Sequence, residues 1–145
     1  MKKSQITRVL IEGDRELLRK LSGEIEERYP VAIVRTPEKS LVMSKARDVV
    51  SQQPFFMGEI LVSECIVDIQ GTHGFGALIG EDAEKAYELA VIDAAMNASL
   101  PETKDWISVL RTEEERIATR LLQDRELVMQ TKVNFDTMEE AYGKR

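Results

Sequence analysis

Few side chains in this sequence could carry out chemistry unaided. The one histidine, His73, stands between glycines in Gly71-Thr72-His73-Gly74, and the one cysteine, Cys65, lies within an apolar run. A histidine in that setting is typical of a turn, and burial raises the pKa of a thiol and makes it unreactive. One histidine and one cysteine cannot form the usual multi-ligand zinc site, so we predict that this chain binds no metal.

Three carboxylates interrupt the longest apolar run of the chain. They are Glu59, Glu64 and Asp68. Because desolvation of a charged carboxylate is costly, a buried one needs a cation or several hydrogen-bond donors. Cations on neighbouring predicted strands could supply that charge, namely Arg35, Lys45 and Arg47. Cross-strand ion pairs on a hydrated sheet face are the alternative interpretation.

The familiar catalytic and nucleotide-binding motifs are absent. The sequence contains no Gly-x-x-x-x-Gly-Lys phosphate loop and no Gly-x-Ser-x-Gly of serine hydrolases. The glycines between residues 71 and 80 are too widely spaced for a dinucleotide-binding fingerprint. The residues by themselves therefore name no reaction.

Charge and hydropathy narrow the classes of partner. The 145 residues carry a net charge of −6, and residues 55–110 contain ten acidic and two basic side chains. Binding of duplex nucleic acid normally needs a clustered basic surface, so we predict no nucleic-acid partner. No apolar run reaches the ~18 residues of a membrane span, and no export signal follows the N-terminus. We expect a cytoplasmic protein without a membrane segment.

The elements that must position these residues fall into three blocks. Residues 4–28 have the apolar spacing of helices, residues 31–79 contain short β-type runs, and residues 82–142 are again helical. Asp14 and Asp82 are predicted helix N-caps. Strands grouped together between helices indicate one α+β domain over residues 1–145, with about four mainly antiparallel strands in the middle.

The strand count depends on how the spacers are interpreted. Thr36-Pro37-Glu38-Lys39 suits a hairpin or short loop between strands at 31–35 and 40–47. Residues 55–70 exceed the usual strand length and indicate a long hairpin strand or a strand with a bulge. A turn at 71–74 then leads into a returning antiparallel strand at 75–79.

The C-terminal block contains two helix-start signals. Ser99-Leu100-Pro101-Glu102 and Thr112-Glu113-Glu114-Glu115 have the form of capping boxes, which predicts a short helix through Trp106 and then a long one. Before them, several alanines share one side of the helix predicted at 83–98. Small side chains on that side permit a close approach of the helix to the sheet.

Three segments taken together resemble the PhnG family, a small subunit of the bacterial carbon–phosphorus (C–P) lyase system. The segments are Leu41-Val42-Met43 with Ala46-Arg47, Phe56–Val62 leading into Cys65-Ile66-Val67, and Gly76–Asp82 followed by Ala86, Ala90 and Asp93-Ala94. Residues 131–138 also resemble the end of the family. Lys39-Ser40 replaces a turn that usually ends in glycine, and Met57 replaces a more usual leucine.

The resemblance implies a role in phosphonate catabolism within the C–P lyase core complex. With PhnH, PhnI and PhnL, such a subunit serves a transferase that makes α-D-ribose 1-methylphosphonate 5-triphosphate from a purine nucleoside triphosphate and an alkylphosphonate, releasing the base. PhnJ, an iron–sulfur radical protein, later cleaves the C–P bond. The resemblance further implies that this chain binds no cofactor itself, although the complex uses ATP. It carries over no established catalytic residue.

The leading hypothesis is a subunit that is inactive alone, and two alternatives remain. One is a free-standing dimeric domain that binds a small molecule or has a regulatory role. The other is an autonomous hydrolase dependent on His73. Because obligate interfaces resemble a divided core, we expect a set of large side chains to be partly exposed in this chain alone or covered by another copy. The set is Phe55, Phe56, Trp106, Phe135 and Met138. The candidate substrate-contacting residues are Arg47, Glu59 and His73.

Overall fold

The computed structural model describes residues 1–133 as four helices and a three-stranded antiparallel sheet. The elements are α1 (Lys3–Glu12), α2 (Arg15–Glu26), β1 (Ala32–Arg47), β2 (Pro54–Ile69), β3 (Thr72–Ile79), α3 (Ala83–Asn97) and α4 (Thr103–Gln130). The predicted α+β class, with strands between two helical blocks, is confirmed. The part of the last predicted helix beyond residue 133, with Phe135 and Met138, lies outside the described residues.

Strand β1 corrects the predicted number of strands. The predicted loop at residues 36–39 is wrong, because β1 runs without a break from Ala32 to Arg47. It is an edge strand, and its pairing with β2 shifts register between Ile33 and Arg35 and again between Arg35 and Glu38. Proline is tolerated on an edge strand at such an irregularity, because no ladder hydrogen bond has to be lost. Two predicted strands are thus one, and the sheet has three strands rather than about four.

Strand β2 is the central strand and carries the bulge that its length indicates. Its 16 residues pair with β1 along most of their length, and Ser44 lies opposite Gly58 while Lys45 lies opposite Phe56. Met57 is therefore the extra residue of the bulge. Gly58 has a φ of 152°, a backbone conformation that favours glycine. Both alternatives offered for this run describe β2, which is a long hairpin strand and also carries a bulge.

The turn between β2 and β3 is tighter than the sequence suggests. Gln70 and Gly71 both have positive φ, and Ile69 pairs directly with Thr72. This is the two-residue hairpin geometry whose backbone twist matches that of the strands. His73 therefore lies within strand β3, and its assignment to a turn is wrong.

Helix α3 packs closely on one face of the sheet. A Cβ atom on Gly76 would lie 2.0 Å from the carbonyl oxygen of Ala86, and one on Gly74 would lie 2.2 Å from that of Ala90. Glycine on the strand and alanine on the helix together allow the two backbones to approach. The predicted close approach of this helix to the sheet is confirmed.

The remaining helices complete the core on the outer side of α3. Helix α2 contacts α3, and helix α4 contacts α1. Asp14 and Asp82 cap α2 and α3 as predicted, accepting hydrogen bonds from the backbone N–H groups of Glu16 and Lys85. Among residues 1–133, no helix combines the length and the apolar character needed to cross a membrane.

Helix α4 is one continuous helix rather than a short and a long one. It runs through the second predicted start, and the Thr112 hydroxyl donates to the Ser108 carbonyl oxygen at 3.2 Å instead of capping a new helix. A threonine can make this bond within an uninterrupted helix, so its capping motif is not decisive. Trp106, Leu110 and Ile117 form the buried side of α4.

Candidate functional site

The three candidate substrate-contacting residues lie at separate places on the sheet. Arg47 pairs with Pro54 at one end of β2, Glu59 pairs with Met43, and His73 pairs with Asp68 near the other end. Most of strand β2 separates Arg47 from His73, roughly 45 Å at about 3.3 Å per residue. All three side chains are exposed. The fold therefore does not bring them into one site, and each stays a separate prediction.

The other two interrupting carboxylates have local partners. Glu64 is 3.0 Å from the Arg35 guanidinium and accepts a hydrogen bond from the Ser40 hydroxyl at 2.7 Å. Asp68 accepts from the backbone N–H of Gly71 at 3.0 Å and so supports the turn. Of the three cations considered, Arg35 is the one that pairs with a carboxylate of β2 in the described residues. The cross-strand ion pair on an accessible sheet face, offered as the alternative, describes Glu64.

A cluster of charges that the sequence did not reveal joins α2 to α3. Glu88 is almost buried, with the Arg15 guanidinium 3.0 Å away and that of Arg19 3.7 Å away. The closest Arg15–Glu88 atoms lack hydrogen-bond geometry, so this is an ion pair only. Burial raises the pKa of Glu88 despite the two arginines. In the sequence, the sign of this cluster is an acidic residue, Glu88, within a largely apolar helix.

Cysteine chemistry and metal binding find no geometric support in the described residues. Cys65 is fully buried on β2, and burial raises the pKa of its thiol. Within residues 1–133, no group of three histidine, cysteine or acidic side chains is placed to hold a metal ion.

The most unusual surface is the projecting part of the β1–β2 hairpin, residues 41–61, which we call the arm. Strand β3 pairs with β2 only from Val62 to Ile69, so β2 has a single neighbour along the arm. No residue from 41 to 61 is buried. Ten large apolar side chains are nevertheless exposed there: Leu41, Val42, Met43, Val49, Val50, Phe55, Phe56, Met57, Ile60 and Leu61. Soluble monomers rarely expose so many apolar side chains together.

Both faces of the arm are apolar. Leu41 pairs with Leu61 and continues the face that α3 covers farther along the sheet, whereas Val42 pairs with Ile60 on the opposite face. That opposite face stays apolar along the sheet through Phe75 and Ile79 of β3, which are 51% and 75% exposed. The surface is therefore a hairpin whose two sides both lack a covering layer in the described part of the chain.

A second surface feature is a depression between α2 and α4. It is an open groove of about 610 Å³ whose apolar lining includes Leu17, Leu21, Trp106 and Val109. The indole N–H of Trp106 donates to Glu24 at 3.1 Å. The expected exposure of Trp106 is wrong, since it is 3% exposed and packs within its own chain. Phe55 and Phe56 are exposed as predicted, at 48% and 60%.

Comparison with known proteins gives one family. The family model described as "Phosphonate metabolism protein PhnG" matches residues 1–140. A relative from Rhizobium meliloti (strain 1021), called alpha-D-ribose 1-methylphosphonate 5-triphosphate synthase subunit PhnG, is 34% identical over 139 residues, covering 88% of this chain and 86% of the relative. The matched region includes the helical core, the sheet and the arm.

Proposed function

Because the chain belongs to the PhnG family of phosphonate metabolism proteins, we propose that it is one subunit of an α-D-ribose 1-methylphosphonate 5-triphosphate synthase. The observation that carries this proposal is the match to the family over nearly the whole chain. The relative's name describes a subunit, which agrees in kind with a small domain that leaves a large apolar arm exposed. The proposed role is therefore structural completion of a larger enzyme.

The proposed reaction is a transfer at the ribose of a purine nucleoside triphosphate. A phosphonate oxygen forms a bond to C1′ while the bond from C1′ to the purine nitrogen breaks and the base leaves. With methylphosphonate and ATP, the products are α-D-ribose 1-methylphosphonate 5-triphosphate and adenine. We propose that PhnH, PhnI and PhnL act together with this chain, and that the chain has no activity by itself.

The proposal also covers cofactors, further partners and location. We assign no cofactor to this chain, and we assign the iron–sulfur cluster of the later C–P cleavage to PhnJ. We place the complex in the cytoplasm. Arg47, Glu59 and His73 lie on separate parts of the sheet, so each stays a separate candidate for contact with substrate in the complex.

Reconstitution tests the proposal directly. Purified PhnH, PhnI and PhnL from the same organism are mixed with ATP and methylphosphonate, with and without this chain. Chromatography measures adenine, and phosphorus NMR measures the new phosphonate ester. We expect product only from the complete set. Product from the set lacking this chain would contradict a required subunit, and adenine release by this chain alone would contradict its inactivity.

Single substitutions in the complete set then test the candidate residues. Arg47→Ala, Glu59→Gln and His73→Ala each remove one side-chain function on the exposed sheet surface. If a residue contacts substrate, its substitution changes KM or kcat while the subunits still assemble. Unchanged kinetics for a variant removes that residue from the candidates.

A further inference from the structure

The arm has to be enclosed rather than merely covered. A second sheet stacked on the hairpin would bury Val42 and Ile60 on one face, but Leu41 and Leu61 on the other face would stay in water. An isolated two-stranded hairpin is marginally stable, so the arm gains from contact on both sides. Its occupant must therefore present a cleft with two walls.

The arm carries two cations, Lys45 and Arg47, and two carboxylates, Asp48 and Glu59. Lys45 and Arg47 stand near its tip and have no ion pair among residues 1–133, whereas Asp48 accepts hydrogen bonds from the Ser51 hydroxyl and from the backbone N–H groups of Val50 and Ser51. Lys45 also lies 5.7 Å from the ring centre of Phe56. Glu59 is the one acidic side chain in the paired strands of the arm. A cleft that pairs with Lys45 and Arg47 needs carboxylates opposite these two side chains.

A second copy of this chain fits these observations poorly. Pairing the β1 edges of two copies would extend the sheet but would leave both apolar faces of each arm uncovered. Stacking two arms face to face leaves one apolar face of each exposed. A different folded protein with a two-walled cleft can cover both faces of the arm at once.

We propose that the arm, residues 41–61, inserts into a cleft of another subunit of the same enzyme, with apolar walls and with carboxylates that pair with Lys45 and Arg47. This inference rests on the proposed function, because it takes its partner from the same complex. It adds the segment of the chain that makes the contact and the chemistry of the surface that receives it.

Co-expression with a matched control tests the proposal. The tagged chain is expressed with PhnH, PhnI, PhnJ and PhnL of the same organism, and the recovered subunits are quantified. The arm variant is Lys45→Glu with Arg47→Glu. The control is Lys20→Glu with Lys104→Glu, which makes the same charge change at exposed positions of α2 and α4. We expect roughly tenfold or greater loss of recovered subunits for the arm variant, and wild-type recovery for the control.

Hydrogen exchange of the unmodified chain provides a second readout that needs no variant. We expect amides of residues 41–61 to exchange more slowly in the complex than in the chain alone. Equal exchange there, or full subunit recovery by a folded arm variant, overturns the arm proposal and leaves the proposed function standing. A dimer of the chain alone with a protected arm assigns the surface to a second copy and also overturns it. Failure of the wild-type chain to recover any subunit overturns the proposed function itself.

Discussion

Asp93 on α3 accepts a hydrogen bond from the backbone N–H of Phe75 on β3 at 3.0 Å. Asn97, one turn later, donates to the carbonyl oxygen of His73 at 2.9 Å. Side chains of α3 thus bind a backbone N–H group and a backbone carbonyl group along the outer edge of β3. An edge strand with free backbone groups is a template for unwanted pairing, and these two side chains remove part of that template.

Asp93→Ala is expected to destabilise the fold by about 1–3 kcal/mol, because the Phe75 N–H loses a charged acceptor. Lys3, 2.8 Å from Asp93, also loses its ion pair. Asp93→Asn should cost less, since its amide oxygen can still accept from Phe75. Urea unfolding followed by circular dichroism measures both variants. Equal stability of Asp93→Ala and the wild type would show that the contact contributes nothing net.

Gly76→Ala is expected to cost about 1–3 kcal/mol or more, because the new methyl group meets helix backbone that cannot move aside easily. Gly23→Ala is the matched control. Gly23 lies in helix α2, where an added Cβ would have no neighbouring atom within 4 Å, so alanine should stabilise the helix by about 0.5–1 kcal/mol. Thermal unfolding of the two variants should shift in opposite directions. A shift of both in the same direction would contradict the packing argument.

Glu88→Gln is expected to change the pH dependence of stability. Burial raises the pKa of Glu88 above its ordinary value of 4.5, so the folded chain holds this proton more tightly than the unfolded chain. The stability from the protonated carboxyl is complete below pH 4.5 and is lost as the pH rises through the raised pKa. The free energy of unfolding of Glu88→Gln, relative to wild type, should therefore increase from acid toward neutral pH.

Urea unfolding at a series of pH values measures that difference. Glu88→Ala is the companion variant, and it should be less stable than Glu88→Gln throughout because Arg15 loses its nearly buried partner without an isosteric replacement. A stability difference between Glu88→Gln and wild type that is flat with pH would refute the raised pKa.

Cys65 is expected to react with thiol reagents orders of magnitude more slowly in the folded chain than in urea, because it is fully buried and burial raises its pKa. A Cys65→Ala, Val50→Cys variant is the control, since Val50 is 91% exposed in the arm. Absorbance of the released thiolate from a disulfide reagent gives both rates. Fast labelling of native Cys65 would contradict its burial.

The sequence predicted those features that depend only on residues close together in the chain. Asp14 and Asp82 were recognisable as caps from the residues that follow them, and the alanines of α3 indicated close packing on the sheet. Pro37 was misleading because its effect depends on whether a strand is at the edge of a sheet, and that is a property of the assembled fold. Thr112 was misleading because the same hydroxyl can bond backwards within a helix.

The functional surface was less predictable for a similar reason. The apolar residues of 55–61 are equally suited to a buried strand, and only the end of β3 at Ile79 shows that they extend past the neighbouring strand. The ion-pair partner of Glu64, Arg35, was among the three cations proposed from the sequence, whereas the Glu88 cluster depends on how α2 lies across α3. Trp106 shows the converse case, an aromatic residue covered by its own helices.

The uncovered hairpin has a consequence for how cells must handle this polypeptide. A newly synthesised chain exposes to proteases and chaperones an apolar hairpin with little stability of its own. A chain without a partner is therefore expected to be degraded quickly. The cellular abundance of this chain would then follow the abundance of the protein that covers the hairpin. Synthesis of the two proteins in matched amounts would be needed to keep this chain from degradation.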